Sequence, residues 1–151
     1  MSERGIRAEE YFRQGYNCAQ SVVLAFADIA GLEPQTAAKL ASSFGGGLSR
    51  LREVCGTVSG AALILGMVEG YSDPHDPEAK KAHYHRVQEF AGRFRQLNGS
   101  VVCRELLAGV KTIEGSDPEE RTESYYKKRP CPRLVHQAAD ILAEMLCEKN
   151  G

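Results

Sequence analysis

The sequence predicts an all-α fold, a single-domain helical bundle of about seven helices. Three observations predict it. No stretch alternates apolar and polar residues with period two, β-branched residues do not cluster, and apolar residues recur at i, i+3 and i+4 between recognisable helix starts and stops. The chain has 151 residues, enough for one domain with its own core. No internal repeat or low-complexity segment divides it, so residues 1–151 read as one domain.

A first helix is expected over residues 3–14, ended by Gly15. Asn17 is a good N-cap, and Gln20 three residues on completes a capping box. Cys18 then opens a second helix. Val22, Val23, Phe26, Ile29 and Ala30 leave it little polar face, which makes it central, and Gly31 stops it. Pro34 opens a short third helix with Ala37, Leu40, Ala41 and Phe44 on one side. A glycine loop, Gly45-Gly46-Gly47, leads to an apolar helix carrying Cys55, whose start Ser49 or Glu53 could equally mark.

Asp76 caps the next helix and Pro77 takes its first position. Tyr84, Val87, Phe90, Ala91, Phe94 and Leu97 follow a helical spacing until Asn98-Gly99. Ser100 is expected to cap a short helix from Val101 to Ala108, with Cys103 in its first turn. Ser116 to Glu119 could start a weak helix in a polar stretch. Pro130-Cys131-Pro132 launches the last helix along Leu134, Ala138, Ile141, Leu142 and Met145.

The formal net charge is −1, so no basic excess points to nucleic acid. The longest apolar run, Val54 to Val68, is broken by Gly, Ser and Thr and is shorter than the ~20 residues of a membrane span. The N-terminal residues lack the apolar core of a secretory signal. No membrane association and a cytoplasmic location are therefore expected.

Five cysteines in such a chain read as metal-binding, catalytic or redox groups rather than structural disulfides. No C-x-x-C occurs. Cys18, Cys55, Cys103 and Cys131 lie in four separate segments, so only the fold can bring them together. Cys18 and Cys103 fall in predicted first turns, and Cys131, held out of α geometry by Pro132, in a predicted N-cap place. Helix starts carry free N–H groups and positive partial charge, which favour the reactive thiolate. Arg50 and Arg52 precede Cys55, Arg104 follows Cys103, and Arg129 and Arg133 flank Cys131. Buried free cysteine also packs as an inert small hydrophobe. Cys147 lies off the apolar stripe of the last helix and reads as incidental.

Gly56 and Gly60 share one helix face, where hydrogens let another backbone or a ligand come close. Gly45, Gly46, Gly47, Gly56 and Gly60 are thus candidates for backbone approach to a cofactor. The triple glycine is neither a P-loop nor G-x-G-x-x-G. His83 and His85, two apart, point in different directions on a helix. His75 sits in a turn, and His136 stands near Cys131 in sequence. No Ser/His/Asp set or carboxylate pair is evident.

Gly15-Tyr-Asn-Cys-Ala-Gln, Phe44-Gly-Gly-Gly, Val54-Cys-Gly-Thr-Val-Ser-Gly60 and the lone Cys103 and Cys131 together resemble the C_GCAxxG_C_C family. Its members are small proteins labelled redox-active and named for four invariant cysteines. The resemblance runs from about Gly15 to Cys131. It implies Cys18, Cys55, Cys103 and Cys131 as the family's cysteines and Gly56 and Gly60 as its central glycines. Thr57 stands where the family motif usually has alanine, and Cys147 has no counterpart. A related domain beside c-type haems in an iron–sulfur-containing cytochrome implies a cluster as an alternative.

The leading expectation is a redox-active protein using reversible thiol/disulfide or electron-transfer chemistry at the four cysteines, with Cys18 or Cys131 as nucleophile and an unidentified redox partner protein. The first alternative is an iron–sulfur cluster or zinc on the same four thiolates. The second is a non-catalytic helical domain whose glycine face docks a partner. A homo-oligomer is compatible with each.

Overall fold

Helix caps decide where most elements begin. In the computed structural model, which describes residues 2–150 and side chains through Cys147, the Ser2 hydroxyl accepts the Gly5 N–H and opens α1, Glu3–Arg13. Met1 and Gly151, the ends of the expected domain, lie outside the described residues. Asn17 and Gln20 form the expected capping box on α2, Cys18–Ala25. Pro34 occupies the first turn of α3, Pro34–Ala41, which passes into a 3-10 turn, Ser42–Phe44. Cys55 caps α4, Gly56–Glu69. Asp76 and Pro77 start α5, Pro77–Asn98, and Gly99 ends it in the left-handed region. Then come α6, Cys103–Leu106; α7, Glu123–Lys128; and α8, Cys131–Asn150. Eight helices stand where about seven were expected, and no strand forms among the described residues.

The packing follows from apolar faces. α1 lies along α8, and α2 packs on α4 as well as on α1 and α3. Phe12, Val22, Val23, Phe26, Ile64, Leu65, Phe90, Phe94, Leu142 and Met145 fill the core. α5 covers α4 and α8 with its middle turns, where Phe90 and Phe94 are fully buried.

Several boundaries differ from expectation. α2 stops at Ala25 because the chain tightens: Phe26 N–H bonds Val23 O and Ala27 N–H bonds Leu24 O. Ile29, expected in the core, is 47% exposed on the turn that follows. Leu40 on α3 and Tyr84 and Leu97 on α5 are also exposed, because their helices are covered only along Ala37–Ala41 and Phe90–Phe94. Residues 116–119 form no helix. The Glu119 side chain turns inward and accepts the Ile113 N–H, and Thr122 caps α7 instead. The helix expected over Val101–Ala108 shrinks to Cys103–Leu106 because Val102 pairs with Val54 in an isolated antiparallel bridge. Ser100 accepts the Val102 N–H rather than capping that helix.

The glycine loop has an unusual backbone. Gly46, Gly47, Leu48, Ser49 and Arg50 all have positive φ (66, 70, 69, 47 and 68°), as does Arg52 (63°). For an L-residue this costs roughly 1–2 kcal/mol. Long-reach bonds hold the turn closed: Ser49 N–H to Ser43 O (2.8 Å), Arg52 N–H to Gly46 O (3.1 Å) and Glu53 N–H to Gly47 O (2.9 Å). The chain beyond is pinned to the start of α6 by Cys103 N–H to Glu53 O and Cys55 N–H to Val101 O.

Two substitutions test this account. A Cβ at Gly56 would lie 2.8 Å from Phe44 O, 3.1 Å from Cys18 Cβ and 3.2 Å from Ala19 N, where backbone cannot yield. Gly56→Ala should therefore destabilise by about 2 kcal/mol in urea unfolding, as overpacking does. Leu48 is exposed and its side chain is dispensable. Leu48→Gly removes roughly 1–2 kcal/mol of left-handed strain and adds roughly 0.5–1 kcal/mol of unfolded-state entropy. Its unfolding midpoint should stay equal or rise, and a fall of the Gly56→Ala size would refute the strain.

Candidate functional site

The four cysteines expected to share a site all begin or cap helices. Cys18 and Cys131 are the first residues of α2 and α8, Cys103 is the first of α6, and Cys55 caps α4. Cys131 thus starts its helix rather than capping it. All four line one cavity of about 450 Å³. Phe12, Leu106, Leu107 and Leu134 form its apolar wall, and Arg50, Arg52, Glu119, Arg121, Tyr125 and Arg129 its polar one. Cys147 is exposed on the far part of α8 and takes no part.

The glycines account for this convergence. Gly56 faces the Cys18 Cβ, and a Cβ on Gly47 would lie 2.7 Å from that of Cys103. Gly45, Gly46, Gly47 and Gly56 line the cavity. Gly60 does not; its close neighbour is the α2 backbone at Ala19, so there the approach is by protein.

Each thiol has its own surroundings. The Cys18 and Cys131 thiols are neighbours that shift each other's titration in opposite directions. The Cys18 thiol beside it holds the Cys131 thiol below its ordinary value; burial opposes the shift, and Arg129 and Arg121 add to it. Cys18 is raised by its interaction with Cys131 and by burial. Of the two, Cys131 is the one that ionises near neutral pH, at about 7, while Cys18 keeps its proton. Burial pushes Cys55 up to about 11 despite the Thr57 hydroxyl 3.1 Å from its sulfur. Burial likewise raises Cys103, against the Arg52 Nη1 that donates to its sulfur at 3.9 Å. Helix-start placement alone would lower all four; burial outweighs it at Cys55 and Cys103, and the interaction with Cys131 together with burial does so at Cys18. Tyr125 is pushed up to about 12 by burial and by the Cys131 charge, so its hydroxyl stays neutral.

The arginines beside the site are only partly those adjacent in sequence. Arg104 is exposed and donates to Leu51 O, and Arg133 is exposed. Arg121 comes from a stretch that sequence reading passed over. It stacks on Phe12 (4.2 Å to the ring centre) and donates to Phe12 O and Tyr16 O, which anchors the approach to Cys18. Glu119 was also missed. Its carboxylate meets Arg129 at 2.5 Å, Arg50 at 3.5 Å and Arg52 at 3.7 Å. Burial raises its pKa, but Arg129, the Ile113 N–H and Arg50 lower it further, so the net shift is downward. The sequence carried no signal for this cluster, since Arg50 and Arg52 lie far from Glu119 along the chain. His136 pairs with Glu9 (2.9 Å) and Asp140 (3.5 Å) between α1 and α8, away from the cavity.

Residues 16–145 match the family model described as "Putative redox-active protein (C_GCAxxG_C_C)". The chain belongs to the C_GCAxxG_C_C family. No curated protein and no solved structure matches it. The family's name carries redox activity and cysteines as its common property. Thr57, which differs from the alanine usual in the C_GCAxxG_C_C motif, is fully buried with its hydroxyl on the Cys55 sulfur.

A metal or cluster needs three or four donors converging on one point. Among the described residues no three His, Cys, Asp or Glu side chains converge in that way. The cysteines line one cavity without forming a ligand cage. No helix among the described residues is long and apolar enough to cross a membrane.

Glu119 offers a direct test of the cationic wall. Its folded pKa lies below the unfolded value of about 4.3. Its contribution is therefore full above that pH and is lost as pH falls through the folded pKa. Glu119→Gln should destabilise by about 3 kcal/mol at pH 7, because three guanidinium groups lose their shared carboxylate. The difference from wild type should shrink in acid unfolding below about pH 4.

Proposed function

We propose that the protein is a thiol redox protein whose Cys18 and Cys131 interconvert between dithiol and disulfide. The carrying observation is that these two cysteines, each the first residue of a helix, line one cavity, where they shift each other's titration in opposite directions. Cys131 is the nucleophile and Cys18 the resolving thiol. The Cys131 thiolate attacks one sulfur of a disulfide R–S–S–R, forming a mixed disulfide and releasing RS⁻. Cys18 then gives its proton to that RS⁻ and attacks the Cys131 sulfur. This releases the second RS⁻ and leaves the Cys18–Cys131 disulfide. The protein loses two electrons and the substrate gains them; a dithiol partner reverses the step.

Cys55 and Cys103 stay protonated beside the pair, with Thr57 and Arg52 as their contacts. Gly45, Gly46, Gly47 and Gly56 keep the backbone close enough to shape the cavity. The rival use of the four cysteines, holding zinc or an iron–sulfur cluster, would need the sulfurs to draw together.

The test is iodoacetamide labelling of reduced, metal-free protein against pH, read residue by residue by mass spectrometry. Cys131 should be modified with a midpoint below the free-thiol value of about 8.5, ahead of Cys55 and Cys103. Cys18→Ala removes the neighbouring thiol and should move the Cys131 midpoint upward. Mild oxidation should yield a Cys18–Cys131 peptide. Labelling of Cys147 alone, with no Cys18–Cys131 peptide, would end this reading. Iron or zinc in anaerobically purified protein, with labelling only after chelation, would favour the metal reading.

A further inference from the structure

We propose that the cavity takes a small organic disulfide bearing a carboxylate, with the carboxylate on Arg50 and the disulfide at Cys131. The inference rests on the dithiol reading above and adds the substrate class. Four observations carry it.

The first is accessibility. Cys131 is 8% exposed, Cys55 5% and Cys103 8%, at the wall of a cavity of about 450 Å³. So recessed a sulfur disfavours the surface disulfide of a folded protein, whereas pockets of roughly 300–1,000 Å³ take small molecules. The second is charge. Arg50, Arg52, Arg121 and Arg129 face a single carboxylate, Glu119, so the wall keeps a positive excess even with Cys131 ionised. An uncompensated buried cation is expensive, and an entering anion removes that penalty.

The third is Arg50 itself. Its Nη2 donates to Ile113 O and reaches Glu119, while its Nε and Nη1 are fully buried and make no hydrogen bond. Buried guanidinium donors call for an acceptor, and a carboxylate oxygen is the acceptor that matches their charge. The backbone holds Arg50 in the left-handed region, the last of five consecutive such residues, so its origin is fixed by the loop. The fourth is the apolar wall of Phe12, Leu106, Leu107 and Leu134, which suits the methylenes between an acid group and a sulfur. A bare oxyanion would leave that wall unfilled. In the exchange already written, both halves leave as carboxylate-bearing thiols.

The experiment uses reduced full-length protein and three symmetrical disulfides: dithiodipropionate (anionic), hydroxyethyl disulfide (neutral) and cystamine (cationic). The rate of Cys18–Cys131 disulfide formation is followed by mass spectrometry. Each rate is divided by that of the same disulfide with thioglycerol, a neutral thiol distinct from all three products, which removes intrinsic reactivity. The normalised rate for dithiodipropionate should exceed that for hydroxyethyl disulfide by about tenfold or more, one decade of binding, with cystamine slowest. Arg50→Gln should cut the anionic-to-neutral ratio by about tenfold. Independently of any variant, suberate, which has the length of dithiodipropionate but no sulfur, should slow the reaction with hydroxyethyl disulfide, and octanediol should not. Equal normalised rates, a cationic preference or no effect of suberate would overturn the substrate class while leaving the dithiol reading intact. Failure of all three disulfides to form the Cys18–Cys131 bond would instead overturn the dithiol reading, and this inference with it.

Discussion

The missing side chain at Gly56 is the constraint on which the site depends. Helices α2 and α4 meet with backbone against backbone there, the Ala19 N and Phe44 O standing where a Cβ would go. That contact sets the start of α2, and with it Cys18, beside the start of α4, with Cys55. Gly47 does the same for Cys103 from the loop side. The short pairing of residues 53–55 with 101–103 then locks those two segments in register. Cysteine placement is thus tied to close packing at two positions: the Cβ omitted at Gly56 and at Gly47 leaves room for the helix starts that carry Cys18 and Cys103.

Electrostatics decides what the assembled thiols can do. Four helix starts offer similar partial charges, yet only Cys131 is held below its ordinary pKa. The difference lies in partners. Cys131 has the Cys18 thiol, Arg129 and Arg121 nearby, whereas Cys55 has the neutral Thr57 hydroxyl and backbone. Burial penalises every thiolate, and a single neutral donor does not offset it. Glu119 supports this indirectly by holding Arg129 in place through a 2.5 Å contact.

The helical fold was legible because its signals are local. Asn17 with Gln20, Asp76 with Pro77 and the Phe90–Phe94 spacing each act within a turn or two, and each forms as read. Errors fell where long-range contacts override propensity. Val102 leaves its expected helix to pair with Val54, and Glu119 leaves its own to meet three arginines. The candidate cysteines were legible as residues, but their convergence was not, since nothing in the spacing of 18, 55, 103 and 131 encodes distance. Arg121 was invisible for the same reason: its partners, Phe12 and Tyr16, lie more than a hundred residues away.

That separation has a consequence for chain topology. Cys18 opens the second helix and Cys131 the last, so a bond between them would close a loop of more than a hundred residues. Loop closure on that scale removes conformational entropy from the unfolded chain worth on the order of 5 kcal/mol. By thermodynamic linkage the same quantity makes the bond correspondingly harder to reduce in the folded molecule than in the unfolded one, at about 30 mV per 1.4 kcal/mol. Electron count and global unfolding would then be two readings of one equilibrium. A protein built this way would carry its oxidation state in its resistance to heat and to proteases, without any change in the shape of its helices.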